Sequence, residues 1–249
     1  MKLKLAVCLA ALLVLTLAGQ AAAYFEEGHL IRVVYDKTGA GKEVATDLID
    51  VTGWKTAANF PINQVVGGGP AAWNLSMFPG KDLADLNVAY YAIIASSIDS
   101  WNSGPATGQT ATRTFASYNG AATNVRNYYQ TLTATAGTVV GENSETNSYW
   151  KLMDKNGVGI GSFASWIWEG LGHANLADLA TVGYVDQTLY FYDTSAVNNR
   201  GLNVAVLRTM ADGSTIINPT SGPVVPVPAA AWLLGSGLIA LVGIRRRMN

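Results

Sequence analysis

A run of 16 residues without a charge, 229–244, lies near the end of this 249-residue chain. As a helix rising 1.5 Å per residue it would be roughly 24 Å long. This is slightly short of a hydrocarbon core of about 30 Å, so the residues before it must contribute to a membrane crossing. A basic tail, 245–249, follows and should stay cytoplasmic, which places the preceding chain outside. We therefore expect a transmembrane helix at 229–244 and an exported body before it.

Two prolines stand directly before the apolar run. Pro226 and Pro228 remove backbone donors and keep their segment extended, in a form that suits the cleft of a peptidase. Residues 219–228 are therefore interpreted as a linker that ends in the start of a sorting motif.

The tail as a whole resembles the PEP-CTERM sorting signal. The residues that carry this resemblance are Val225, Pro226, Val227, Pro228, Ala229, Trp232, Gly235, Ser236, Gly237, Arg245, Arg246 and Arg247. They are similar to the variant that reads Val-Pro-Leu-Pro-Ala, and Val227 stands where the namesake motif has Glu. A plain membrane anchor would explain the helix and the arginines, but not the Pro-x-Pro-Ala-Ala-x-Trp-Leu start.

The resemblance implies a function for the chain. Proteins with such a tail are exported surface or extracellular products of Gram-negative bacteria that make exopolysaccharide. The membrane cysteine peptidase exosortase is thought to recognise the tail and remove it. The expected partners are therefore exosortase, the inner membrane during transit, and exopolysaccharide in the matrix.

The other end of the chain also indicates export. Lys2 and Lys4 form a basic start, residues 5–17 are apolar, and Ala21 and Ala23 supply the small residues of a cleavage site. This is the pattern of a signal peptide at 1–23, with the mature chain beginning at Tyr24.

The single cysteine, Cys8, lies inside the expected signal peptide. The mature protein would then have no thiol, which excludes a disulfide framework, a Cys-zinc site and a cysteine nucleophile.

The charge of the body argues against nucleic acid as a partner. Of the 16 basic residues, five lie in the two terminal segments, whereas all 17 acidic residues lie in the body. The body therefore carries 11 basic and 17 acidic residues, a net charge of −6. A nucleic-acid surface would require a basic patch.

The body, 24–218, is predicted to be one mainly β domain, β-sandwich-like, with one or two short helices. Residues 30–35 and 42–48 predict a hairpin in which Val33 and Tyr35 share one face and Arg32 and Val34 the other. Further strands are expected at 86–95, at 185–193, and in a closing hairpin of 202–208 with 215–217. Helical spacing predicts a helix capped by Asn119 and running to Leu132, and a shorter one capped by Ser144.

The body contains few residues in patterns typical of a catalytic or a metal-binding site. Glu169 and His173 have the helical spacing of metal ligands, but Gly170 and Gly172 would each cost a helix there about 1 kcal/mol. Two acidic pairs, Glu142 with Glu145 and Asp186 with Asp193, are expected to be solvated rather than catalytic. We therefore predict no enzyme activity, no cofactor and no metal.

The leading interpretation of the body is a structural or interaction domain. The alternative is a secreted carbohydrate-binding module with stacking residues Trp166, Trp168, Tyr190 and Tyr192, and a secreted hydrolase is the third class. Binding to a glycan array would favour the module, and turnover lost on changing one carboxylate would favour the hydrolase.

Overall fold

The computed structural model describes residues 24–104, 115–153, 172–193 and 201–220. By its contacts the chain divides into two units, Met1–Pro219 and Thr220–Asn249, and the fold described belongs to the first. The expected signal peptide and transmembrane helix lie outside the described residues. Within those ranges, no helix is both long enough and apolar enough to cross a bilayer.

The described residues are mainly β, as the sequence predicts, with little helix. The strands are β1 His29–Asp36, β2 Lys42–Asp50, β3 Gln64–Val66, β4 Leu86–Ile94, β5 Asp99–Gly104, β6 Thr138–Glu142, β7 Ala174–Asn175, β8 Tyr184–Tyr192, β9 Leu202–Met210 and β10 Thr215–Ile217. The α-helices are α1 Phe115–Thr131 and α2 Tyr149–Leu152. Short 3-10 helices cover Ala57–Asn59, Gly69–Ala71, Leu75–Met77, Leu83–Asp85 and Leu176–Ala180.

The ten strands form one antiparallel sheet. Its order is β3-β10-β9-β8-β5-β4-β1-β2-β6, and β7 pairs with β4. The expected sandwich-like arrangement of two separate sheets is therefore not what these strands form. In a sandwich, two sheets pack face to face, whereas here a single sheet curls so that its own strands face each other.

The curl is shown by a contact between distant strands. Strands β1 and β10 are five positions apart in the sheet order, which would separate them by about 24 Å if the sheet were flat. Yet the Nη1 atom of Arg32 on β1 donates to Oγ1 of Thr215 on β10 over 2.9 Å. The sheet must therefore curl towards the face that carries Arg32, which we call the concave face.

The opening hairpin has the predicted alternation of faces. Val33 and Tyr35 pack in the core on the convex face, whereas Val34 packs in the core on the concave face. Its turn places Gly39 at φ +77°, a conformation that glycine adopts readily. The closing hairpin likewise turns at Asp212-Gly213, where Gly213 has φ +82°.

The two faces of the sheet bury separate apolar cores. The concave core holds the large side chains Leu30, Trp73, Phe78, Trp101, Leu189, Phe191 and Leu207. The convex core is rich in tyrosine and holds Tyr35, Tyr91, Tyr118, Tyr129, Tyr149, Tyr190 and Tyr192. Both helices pack on the convex face and close this second core.

The helices differ from the prediction in where they begin. The predicted positions Ala122, Val125 and Tyr129 of α1 are all buried, which confirms the helical spacing. However, α1 begins at Phe115, so Asn119 lies within it rather than at its cap. Helix α2 is capped by Ser148, whose side chain accepts from the N–H of Lys151, and not by Ser144.

Candidate functional site

Most residues predicted to have a function lie outside the described ranges. These are the sorting-motif residues at 225–247, the cleavage residues Ala21 and Ala23, and the aromatic residues Trp166 and Trp168. Tyr24, the expected first residue of the mature chain, is described and packs against the convex core. The structure therefore brings together a different set of groups from those that the sequence indicates.

Two predicted stacking residues are in the wrong place for a ligand. Tyr190 and Tyr192 are only 2% and 3% exposed, because both point into the convex core. With their rings buried, these two residues give no support to the carbohydrate-binding alternative.

Two of the four residues in the predicted acidic pairs, Glu142 and Asp186, take part in ion pairs at the surface. Asp186 receives two hydrogen bonds of 2.7 Å from the guanidinium of Arg208. Glu142 forms an ion pair with Lys42 across β6 and β2. In the described part of the chain, no group of three or more His, Cys, Asp or Glu side chains is arranged to hold a metal ion.

His173 and His29 both have identified partners. Nε2 of His173 lies 3.1 Å from the hydroxyl of Tyr149 at the edge of the convex core. Nδ1 of His29 lies 2.9 Å from the carboxylate of Asp47, and this hydrogen bond raises the pKa of His29 above its usual value. Glu169, which the sequence places at helical spacing from His173, lies outside the described residues.

A buried carboxyl group is the first feature that the sequence did not indicate. Glu43 on β2 is fully buried beneath α2, and its two oxygens accept the backbone N–H groups of Tyr149 (3.0 Å) and Trp150 (3.2 Å). Burial raises the pKa of Glu43 to about 7, although these two hydrogen bonds act in the opposite direction. The group can therefore exchange a proton near neutral pH.

Tyrosine rings surround this carboxyl group. Tyr129 from α1 and Tyr91 from β4 are buried beside Glu43. Burial raises the pKa of both hydroxyls, and the negative charge of Glu43 raises it further. Tyr149 packs against Tyr35 and Tyr91 at ring-centroid distances of 5.3 and 5.9 Å. The carboxyl group and the rings together fasten α2 to the sheet.

A buried arginine in the concave core is the second unexpected feature. The register of the sheet makes Tyr90, Arg32, Thr46 and Thr138 successive cross-strand neighbours on β4, β1, β2 and β6. We call this set the Arg32 row. Nη2 of Arg32 donates to Oγ1 of Thr46 (3.2 Å), and the Thr138 hydroxyl, which donates to the carbonyl of Ala71 (2.7 Å), lies 3.1 Å from the same oxygen.

Hydroxyl groups from the other end of the sheet meet the Arg32 row. The Tyr90 hydroxyl lies 2.6 Å from Oγ1 of Thr209 and 2.9 Å from Oγ1 of Thr215. Nη2 of Arg32 also donates to the carbonyl of Gly67 (3.3 Å) beyond the end of β3. This network joins both ends of the curled sheet through hydrogen bonds that only the tertiary fold can create.

An open apolar groove lies at the side of β9. It has a volume of about 450 Å³ and is lined in part by Phe60, Ile62, Val204 and Val206. Ile62 is 70% exposed and forms part of its rim. The groove is mainly apolar and has no charged residue in its described lining, so it contains no side chain there that could act as an acid or a base.

Comparison with known proteins gives no assignment. No protein-family model, no curated protein and no solved structure matches this chain.

Proposed function

We propose that this protein is an exported cell-surface or exopolysaccharide-matrix protein of a Gram-negative bacterium, sorted and processed through its C-terminal tail by an exosortase. The observation that carries the proposal is the fixed order of three elements: the Pro-x-Pro-Ala segment 226–229, the apolar run 229–244 and the triple arginine 245–247. The signal-peptide pattern at 1–23 supports the same route from the opposite end.

The physical properties of the three elements suit such a route. The apolar run holds the precursor in the inner membrane, and the arginines keep its end in the cytoplasm. The proline segment is then placed just outside the hydrocarbon core, where a membrane peptidase can reach extended backbone. Removal of the tail releases the body to the cell surface or the extracellular space.

The body has the features of a domain that works outside the cell without the tail. Its two cores are made by residues between Phe25 and Ile217, so its apolar side chains find partners within this part of the chain. Its sheet and helices require no thiol, since Cys8 lies in the segment expected to be removed. We propose a structural or interaction role for this domain and no catalytic one.

The carbohydrate-binding alternative has less support from the structure than from the sequence. Two of its four aromatic residues, Tyr190 and Tyr192, are core residues. No described feature favours sugar stacking over a structural role, so we do not propose it as a second function.

Deletion of the exosortase gene in the native host tests the proposal. We expect the protein to remain in the inner-membrane fraction with residues 229–249 attached, because the apolar run then has no means of release. Returning the gene on a plasmid is the control and should restore the shortened, released form. A protein of the same mass and location with and without the gene would contradict the proposal.

A further inference from the structure

Three arginines are described in the folded body, and one of them has no acidic partner. Arg208 is held by Asp186 over two bonds of 2.7 Å, and Arg126 lies 3.3 Å from a carboxylate oxygen of Glu27. Arg32 is 0% exposed, yet in the described residues its guanidinium contacts only neutral oxygens. A positive charge is therefore buried in the concave core with no acidic group of the described residues in contact with it.

The guanidinium also keeps unused hydrogen-bonding capacity. It has five N–H groups, and its Nε is buried without a hydrogen-bond partner in the described part of the protein. The acidic residue whose field acts on Arg32 is Asp212, but this carboxylate is engaged by the N–H and hydroxyl of Ser214 at 2.9 and 2.6 Å. No group of the described chain thus supplies the missing negative charge by contact.

Leaving this charge uncompensated is costly. A buried ion loses its hydration, and neutral acceptors return only part of that free energy. Burial accordingly lowers the pKa of Arg32 to about 10, so the group is still a cation at neutral pH. An anion beside the guanidinium would remove the imbalance, whereas a water molecule would satisfy only the N–H group.

We propose that Arg32, together with the hydroxyl cluster of Tyr90, Thr209 and Thr215, forms a buried binding site for one small monovalent inorganic anion of the size of chloride. The charge of the ligand follows from the single cation in the row, which one negative charge neutralises. Its size follows from complete burial, since Arg32, Tyr90, Thr209 and Thr215 are all 0% exposed and leave no route for an organic ligand.

The ion would act where the ends of the sheet meet. Arg32 on β1 donates towards the site through its Nε–H, which is unpaired among the described residues. The hydroxyls of Tyr90, Thr209 and Thr215 share two hydrogen bonds among three hydrogens, so one O–H of this set remains to donate to the ion. Binding therefore stabilises the curled form of the sheet, and the folded state should bind the anion while the unfolded chain does not.

Chloride dependence of unfolding tests this site. The protein, isolated from its host in its natural form, is unfolded with urea while chloride replaces gluconate at constant ionic strength. Above the dissociation constant for chloride, each tenfold increase in chloride should lower the unfolding equilibrium constant about tenfold. Stability that does not depend on chloride in the wild-type protein would overturn the proposal.

A matched pair of variants locates the effect. Arg32→Met should abolish the chloride dependence, since it removes the cation. Arg208→Met should retain the dependence, because that guanidinium is already paired with Asp186. A chloride response that survives in Arg32→Met would overturn the assignment to this site.

Bromide keeps the proposal testable if Arg32→Met does not fold. Crystals of the wild-type protein grown in bromide should show an anomalous peak beside the Arg32 guanidinium. Peaks confined to surface positions would mean an adventitious ion only, and the proposal would then be wrong.

Discussion

Replacing Pro226 and Pro228 by alanine should leave the protein in the inner membrane with its C-terminal tail intact. Alanine lets the segment before residue 229 join the helix, because it restores the backbone N–H and favours helical geometry. Hydrophobic length and the three arginines are unchanged, so insertion and topology should persist. Only the extended segment that a peptidase would read is lost. Cell fractionation with mass analysis of the membrane-bound form measures the result.

A second pair of prolines provides the control. Pro219 and Pro223 lie in the same linker but outside the resemblance to the sorting signal. Their replacement by alanine should leave processing unchanged. If the tail is only an anchor, wild type and both double variants will fractionate identically. That outcome, in cells that carry the exosortase, would contradict the interpretation of the tail as a sorting signal.

The second large effect concerns Glu43 and pH. Its pKa is raised from 4.5 to about 7 by burial, so the folded protein holds this proton more tightly than the unfolded chain does. Stability from this group is fully present below pH 4.5 and is lost as pH rises through about 7. The difference between the two pKa values corresponds to about 3 kcal/mol of unfolding free energy. Urea unfolding at a series of pH values between 4 and 8 measures it.

A neutral variant separates Glu43 from the other titrating groups. His29 also has a raised pKa, and its contribution to stability is likewise lost as pH rises above the ordinary pKa of the group, 6.5. Glu43→Gln keeps the size of the side chain and removes its proton equilibrium, so its stability should fall less steeply with pH than that of the wild type. Glu142→Gln, at an exposed carboxylate, should follow the wild-type curve. Parallel curves for wild type and Glu43→Gln would contradict the burial argument.

The strands that the sequence predicts are those with strong local signals. The run of β-branched and aromatic residues at 30–35 lies within β1, the apolar run at 86–95 within or next to β4, and the segment 185–193 largely within β8. The closing hairpin is confirmed by the pairing of Thr215 with Thr209 across Asp212-Gly213. In each case the alternation of side chains and the turn residues act within a few positions of the chain.

The strands that the sequence misses are short or polar. Strand β3 has three residues, and β5, Asp99–Gly104, is built largely of polar and small residues. Such segments become strands because neighbours already in the sheet offer them hydrogen bonds. Their pairing, such as that of Trp101 with Phe191, depends on residues far apart in the chain. Local propensity carries little information about these contacts.

The burial of Arg32 and Glu43 could not be predicted from the sequence either, although the sequence around Arg32 gave an indication. Arg32 is the only charged residue in the apolar strand 30–35, and a charge at such a position indicates a buried polar contact. Glu43 gave no such signal, because an acidic residue after a turn is ordinarily exposed. It is buried by distant parts of the chain, including α2, about 100 residues later, which packs over it.

The intact mass of the protein recovered from outside the inner membrane tests the central claim most directly. Export followed by removal of the tail predicts a chain that begins at Tyr24 and lacks the residues from about Ala229 onwards. The sequence predicts the region in which each end is cut, so a narrow range of masses can be calculated before the measurement. A released protein that still begins at Met1, or that still carries Arg245, Arg246 and Arg247, would contradict this account.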